Sequence, residues 1–294
     1  MLWAVFTLIA AAAQTARNAM QRELTATLGT VGATHVRFLF GFPFALLFLA
    51  GVLVVARAEL PNPPGMFWPW VLAGAFTQIA ATATMLSVMG QRSFVVAYAY
   101  IKTEPVHVAL FGFIFLGDKV TTLSAAAILI ATVGVIVISL KAGAERPRSV
   151  RSTIIGIFSG ALFGLSAIGY RGAILSLHLP DFVLAATFTV TVGLVIQAAT
   201  LSLYLALHDA KVLRAIARAW KPSLFAGFMG AFASEFWFLA FAITSAANVR
   251  TLALVEVLFA QGVTHFVFRQ PTTRREGIGI ILVVIGVSLL VWAY

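Results

Sequence analysis

Residues 98–107 read Tyr98-Ala-Tyr-Ile-Lys102-Thr-Glu104-Pro-Val-His107, and residues 250–259 read Arg250-Thr-Leu-Ala-Leu-Val-Glu256-Val-Leu-Phe259. Each stretch holds one carboxylate inside an apolar run, and Glu104 and Glu256 lie 152 positions apart. The same offset superposes Ser93 on Ser245 and Gly134 on Gly286, so that residues 98–140 echo residues 250–292. A period of half the chain has to be settled first, because it decides whether the sequence describes one fold or two copies of a smaller one.

Composition says what surrounds these acids. Of 294 residues, 61% are hydrophobic and 10% are charged, with a mean hydropathy of +1.00. A soluble domain carries about 25% charged residues, so most of this surface is not built to meet water. Crossing ~30 Å of hydrocarbon at 1.5 Å per residue takes ~20 residues. Ten runs qualify, at 2–22, 34–56, 67–89, 94–115, 121–140, 153–175, 182–206, 223–243, 248–268 and 276–294. The connections are short and leave no soluble domain, so the chain is expected to be an all-α polytopic membrane protein with ten transmembrane helices. The first run has no basic segment before it, and Arg17 and Arg22 come at its end, so it is expected to be a retained span rather than a cleaved leader. There is no cysteine, which excludes disulfides, thiolate catalysis and zinc–sulfur sites.

The net charge of +10 is distributed by topology. Connections that follow odd-numbered spans hold thirteen Lys and Arg: Arg22, Arg92, Lys141, Arg146, Arg148, Arg151, Lys211, Arg214, Arg218, Lys221, Arg269, Arg274 and Arg275. Those that follow even-numbered spans hold three, Arg57, Lys119 and Arg250. Such a bias places the odd connections in the cytoplasm and both termini on the other side of the cell (inner) membrane. The basic charge is therefore no nucleic-acid footprint, and the expected partners are membrane lipid and a small-molecule substrate.

Residues 1–143 and 150–294 form the two halves, joined across 144–149 within the polar stretch Lys141-Ala-Gly-Ala-Glu-Arg-Pro-Arg-Ser-Val-Arg151. Each half has five spans, an odd number, so the second half enters the bilayer from the opposite side. Two inverted five-helix repeats are the architecture of many secondary transporters, with substrate held near the midplane between them. At an offset of 154, Arg17-Asn18-Ala19 also matches Arg171-Gly172-Ala173. Gly156, Gly160 and Gly164 recur along one helix face and predict a close helix contact. Pro43 and Pro105 are expected to bend the second and fourth spans.

Glu104-Pro105-Val106, Phe115-Leu-Gly-Asp118-Lys-Val-Thr121 and Gly134-Val-Ile-Val-Ile138 resemble the signature of EamA-type members of the drug/metabolite transporter superfamily, across both halves and at a matching span count and length. Two departures stand out. Asp118 occupies a place where the family usually shows Glu, and the second half reads Glu256-Val257 without proline, followed by Phe268-Arg269-Gln270. The second copy is thus degenerate, and the substrate class does not carry over. The resemblance implies alternating-access transport of small metabolites, frequently amino-acid export.

Charge at membrane depth costs at least ~2.5–3.5 kcal/mol per residue and marks functional positions by default. Lys102, Glu104, Glu235 and Glu256 lie near span midpoints. Lys102 and Glu104 are about 200° apart around their helix and cannot pair with each other; Lys102 shares a face with Tyr98, and Glu104 with Tyr100 and His107. In the first span Thr7, Gln14, Arg17, Asn18 and Gln21 form a polar stripe that lipid could not face. Gln78, Thr82 and Met85 align in the third span below Gly74, Trp237 and Phe238 adjoin Glu235 in the eighth, and Tyr170 lies late in the sixth. The expected substrate-binding set is Gln14, Arg17, Asn18, Gln78, Tyr98, Tyr100, Lys102, Glu104, Tyr170, Glu235, Trp237 and Glu256. Bracing of helices is the alternative role for each acid, and Glu235 or Glu256 is a candidate proton carrier. His107 is expected to be packed, and Arg37 and Arg171 to snorkel to the interface.

These residues predict a secondary transporter exporting small metabolites, most of all amino acids. Mixed buried charges suit such cargo, and no metal or other cofactor is implied. The alternatives are a channel-like facilitator, an exporter of drugs or other small organic solutes, and an intramembrane enzyme. An enzyme would need a zinc motif such as His-Glu-x-x-His or a Gly-x-Ser-x-Gly elbow, and neither occurs. A channel usually takes its pore from symmetry or a selectivity filter. A fused repeat can build its own central cavity, so a monomer suffices.

Overall fold

The structure, a computed structural model, describes residues 1–89, 99–139, 150–266 and 273–293. All the regular elements among them are helical, as hydrocarbon requires of any open chain that must satisfy its own backbone. In order they are α1 (Leu2–Leu39), α2 (Phe42–Ala56), α3 (Phe67–Met89), α4 (Glu104–Phe111) with a π-helical turn (Gly112–Leu116), α5 (Thr122–Ser139), α6 (Val150–Ser176), α7 (Phe182–His208), α8 (Ala210–Arg218), α9 (Trp220–Ile243), α10 (Ala246–Leu252), a 3-10 turn (Ala253–Val255), α11 (Glu256–Phe266) and α12 (Arg274–Ala293). Among the described residues, eight helical segments are long and apolar enough to cross a bilayer. The expected runs 2–22 and 248–268 are not in that set: the first carries Gln14, Arg17 and Asn18, and the second is divided into short helices. Tyr98 and the joint at 144–149 lie outside the described residues.

The helix ends correct the expected boundaries in three places. The stretch between the first two runs is helical, interrupted at Gly29, whose φ of 67° and ψ of 177° are open in practice to glycine alone. Pro43 does not bend the interior of a helix. It sits in the first turn of α2, where a missing N–H costs nothing because that donor would have no partner. Pro105 sits likewise in the first turn of α4. Third, residues 210–218, which hold Lys211, Arg214 and Arg218, are a helix and not an irregular connection. Its apolar side, with Ile216 buried, packs against the cluster of Leu24 and Leu28, and Lys211, Arg214 and Arg218 make it a short basic amphipathic helix.

Three interfaces dominate the packing: α5 with α12, α1 with α9, and α3 with α6. Each joins an element of the first half to one of the second. Exchanging the halves turns the α1–α9 contact into the α6–α3 contact and returns α5–α12 to itself. Small residues let these backbones touch. A Cβ on Gly134 would meet Val283 N at 2.7 Å and Gly279 O at 2.8 Å, and one on its repeat partner Gly286 would meet Ala131 N at 2.5 Å and Ala127 O at 2.8 Å. From the stripe on α6, a Cβ on Gly160 would meet Ile101 O at 2.9 Å, which presses α6 against the fourth span.

Gly286→Leu should therefore force α5 and α12 apart and cost about 1–3 kcal/mol, seen as a drop in the thermal midpoint in detergent. Gly51→Ala, whose Cβ would meet nothing within 4 Å, should leave the midpoint unchanged or slightly raised.

Candidate functional site

The fourth and ninth expected runs both break just before their buried acid. In the first half the helix through Ala99–Ile101 gives way to a turn at Lys102–Thr103, and α4 starts at Glu104. Thr103 donates both its amide N (3.1 Å) and its Oγ1 (2.6 Å) to the Tyr100 carbonyl, which closes that turn. Pro105 explains the break, since it has no N–H to continue the ladder. In the second half the 3-10 turn Ala253–Val255 gives the same break without a proline, and α11 starts at Glu256. Each carboxylate thus stands in the first turn of the short helix that follows the irregularity.

Each acid is paired by a cation from the other half. Lys102 Nζ forms an ion pair with Glu256 Oε1. Arg250 Nε lies 3.0 Å from Glu104 Oε1, an ion pair that is not aligned as a hydrogen bond. All four side chains are at most 14% exposed. The second-half partners are tied to α1 and α9. Gln14 Nε2 donates to Glu256 Oε2 (3.3 Å), Trp237 Nε1 donates to Gln14 Oε1 (3.2 Å), and the Arg250 guanidinium stands 4.6 Å above the Trp237 ring.

Gln14, Lys102, Glu104, Trp237 and Arg250 line a cavity of about 40 Å³, whose wall also includes Arg17, Asn18, Arg37, Gln78, Met85 and Phe163. That volume holds one or two water molecules and no metabolite, so this conformation is closed around its charges. Arg17 donates from Nη2 to Asn18 Oδ1 (2.7 Å). Arg37 is 4% exposed and meets no carboxylate among the described residues. A Cβ on Gly230 would come within 3.3 Å of Arg37 Cγ and 3.5 Å of Arg17 Cδ, so this glycine makes room for both arginines against α9. Gln78 is held by Tyr170 OH (3.3 Å) and Gln197 Nε2 (2.8 Å), both donating to its Oε1.

Of the twelve residues expected from the sequence, Gln14, Arg17, Asn18, Gln78, Lys102, Glu104 and Trp237 line this cavity, and Glu256 adjoins it beside Gln14, Lys102 and Arg250. Tyr170 stands behind Gln78 with its ring 4.5 Å from that of Phe238. Tyr100 contributes its carbonyl to the turn and is not part of the cavity wall. Glu235 lies outside the cavity, on another side of α9, where Thr187 Oγ1 donates to its Oε1. His107 is packed, as expected, with Nδ1 3.1 Å from the Thr103 carbonyl.

Two cavity residues were misplaced by sequence reasoning. Arg37 was expected to snorkel from a span end, but α1 continues to Leu39 and turns it inward. Arg250 was assigned to a connection, yet it is in α10 and 9% exposed. Its repeat partner is Tyr98, which the sequence did single out, so following the 152-residue register would have found it. Arg171 does not snorkel either. Its guanidinium donates to the carbonyls of Phe241 (2.6 Å) and Thr244 at the end of α9, and lies 3.4 Å from Asp118.

A family model described as the EamA-like transporter family matches the chain twice, over residues 1–140 and 151–292. None of the curated proteins searched matches the chain. A solved crystal structure with 13% sequence identity superposes with a TM-score of 0.70, covering 99% of this chain and 96% of its own, which shows a shared fold.

Removing one member of a buried pair leaves the other charge unmatched, at about 3–5 kcal/mol. Glu104→Gln alone should lower the thermal midpoint more than the double variant Glu104→Gln/Arg250→Met, and a double-mutant cycle should return a coupling of at least ~1 kcal/mol.

Proposed function

Because the chain belongs to the EamA-like transporter family, we propose that it exports small zwitterionic metabolites, amino acids foremost, across the cytoplasmic membrane by alternating access. Family membership makes it a multi-pass membrane transporter of small molecules within the drug/metabolite transporter superfamily, and not an enzyme. The reading adds ten spans arranged as two inverted repeats, 1–143 and 150–294, that rock about the midplane. With Arg250 inside the bundle, the even connections keep only Arg57 and Lys119 against thirteen basic residues in the odd ones. That sharper bias supports cytoplasmic odd connections and outward termini.

The observation that carries the proposal is the crossed pairing of Lys102 with Glu256 and of Arg250 with Glu104. Both pairs join helices of different halves across the cavity, so opening the cavity between them has to break them. Opening with nothing to replace the partners would leave four buried charges unmatched, at several kcal/mol each. A zwitterion brings one group of each sign. Its ammonium replaces a lysine or arginine at Glu256 or Glu104, and its carboxylate takes up Lys102 or Arg250, with Arg37 as a further anchor. Once Arg250 withdraws, the Trp237 face is free for the apolar side chain of the cargo. The cavity then opens only around a solute that carries both charges, which couples binding to the change of state.

Purified protein in liposomes should take up amino acids saturably down an imposed solute gradient. The matching decarboxylated amine or deaminated acid should be transported poorly. Arg37→Ala should raise KM about tenfold, the equivalent of one charge-assisted hydrogen bond, and Lys102→Ala combined with Glu256→Gln should abolish transport. Absence of any amino-acid flux would overturn the assignment, and flux that never saturates would indicate a channel instead. Repeating the uptake with and without a pH gradient identifies any proton coupling.

A further inference from the structure

Glu235 is left over by this mechanism. It lies two residues from Trp237, and two residues on a helix are about 200° apart, so while Trp237 faces the central cavity Glu235 faces a second space. That space is a cleft of about 520 Å³ between α2, α7 and α9, a volume within the ~300–1,000 Å³ common to small-molecule sites. Its walls are apolar, with Phe48 and Gly51 from α2 and Phe232 and Phe236 from α9. Two acids are exceptions. Asp181, the N-cap of α7, lines one part of the cleft, and Glu235 lines it with only 8% of its surface exposed. Thr187 satisfies Glu235 Oε1, while Glu235 Oε2 is buried with no hydrogen-bond partner among the described residues.

A buried carboxylate oxygen without a partner is expensive in an apolar setting. A cleft with hydrocarbon walls and an acid deep in them is complementary to a molecule with a cationic head and an apolar body. A lipid acyl chain would fill the walls but leave the acid unmatched. We propose that this cleft is a second binding site, separate from the central cavity, for a lipophilic amine whose ammonium pairs with the Glu235 carboxylate and whose hydrocarbon lies along Phe48, Phe232 and Phe236. Proton balance is simple: an amine that arrives protonated pairs with the carboxylate, and a neutral amine takes its proton from the carboxylic acid to reach the same pair.

The test is equilibrium binding of radiolabelled decylamine to the full-length protein in nanodiscs, corrected with empty nanodiscs. The expected result is saturable binding that Glu235→Gln weakens about tenfold or more, as loss of a charge-assisted hydrogen bond implies. Gly51→Leu keeps Glu235 and puts a bulky side chain into the cleft from α2, at a position where a Cβ meets nothing within 4 Å. It should block decylamine to a similar degree while saturable amino-acid uptake continues, and that arm separates this site from the central one. Equal binding to wild type and Glu235→Gln would overturn the proposal. So would competition by decanol as strong as by decylamine, which would mark a lipid groove, or loss of binding in Lys102→Ala with Gly51→Leu unaffected, which would put the amine in the central cavity.

Discussion

Glu104 and Glu256 are carboxylates at most 14% exposed inside the bundle, and the cation that matches each comes from the other half of the chain. Much else in the structure follows from this constraint. The helices that carry the acids change course just before them, at the turn Lys102–Thr103 and at the 3-10 turn Ala253–Val255. The breaks must face the bundle interior, since open backbone is not tolerated against lipid. The helices around them must then supply polar groups toward the same point, which is where Gln14, Asn18, Gln78 and Trp237 are found. Outside this centre, close glycine contacts join α5 to α12 and α6 to the fourth span.

A space of about 40 Å³ ringed by charged side chains is not what stability alone would select. Close-packed apolar residues would stabilise a bundle at least as well as buried ion pairs, whose attraction barely repays the water they give up. Their merit is that they can be exchanged. A salt bridge that breaks can be remade with a solute, whereas a packed leucine offers no such replacement.

Much of this arrangement was legible in the sequence. The apolar runs follow from hydropathy alone, and the 152-residue repeat turned two isolated acids into a matched pair. The polar stripe Gln14, Arg17 and Asn18 identified the inner face of α1, because helical spacing and the exclusion of polar groups from lipid leave few other options. What could not be read depends on where helices stop. Arg37 lies near the end of an apolar run, and that end moves because α1 runs on to Leu39; Arg250 lies at the start of one, and α10 begins before it, at Ala246. The 3-10 turn before Glu256 has no proline to announce it. Which side of α9 meets the cavity was equally hidden, since Glu235 and Trp237 both stand in an apolar run and only the neighbours of each decide its direction.

The crossed pairing also bears on ancestry. In the repeat register, Lys102 meets an acid that exists in both halves, whereas Glu104 meets Arg250, whose counterpart is Tyr98. Two identical copies of the first half, assembled as a dimer, could rebuild the lysine pair twice but would offer Glu104 a phenol in place of a guanidinium. The present charge set therefore requires two unlike halves in fixed proportion. Covalent linkage guarantees that proportion, and once Arg250 had arisen the fused chain could no longer be replaced by a duplicate of either part.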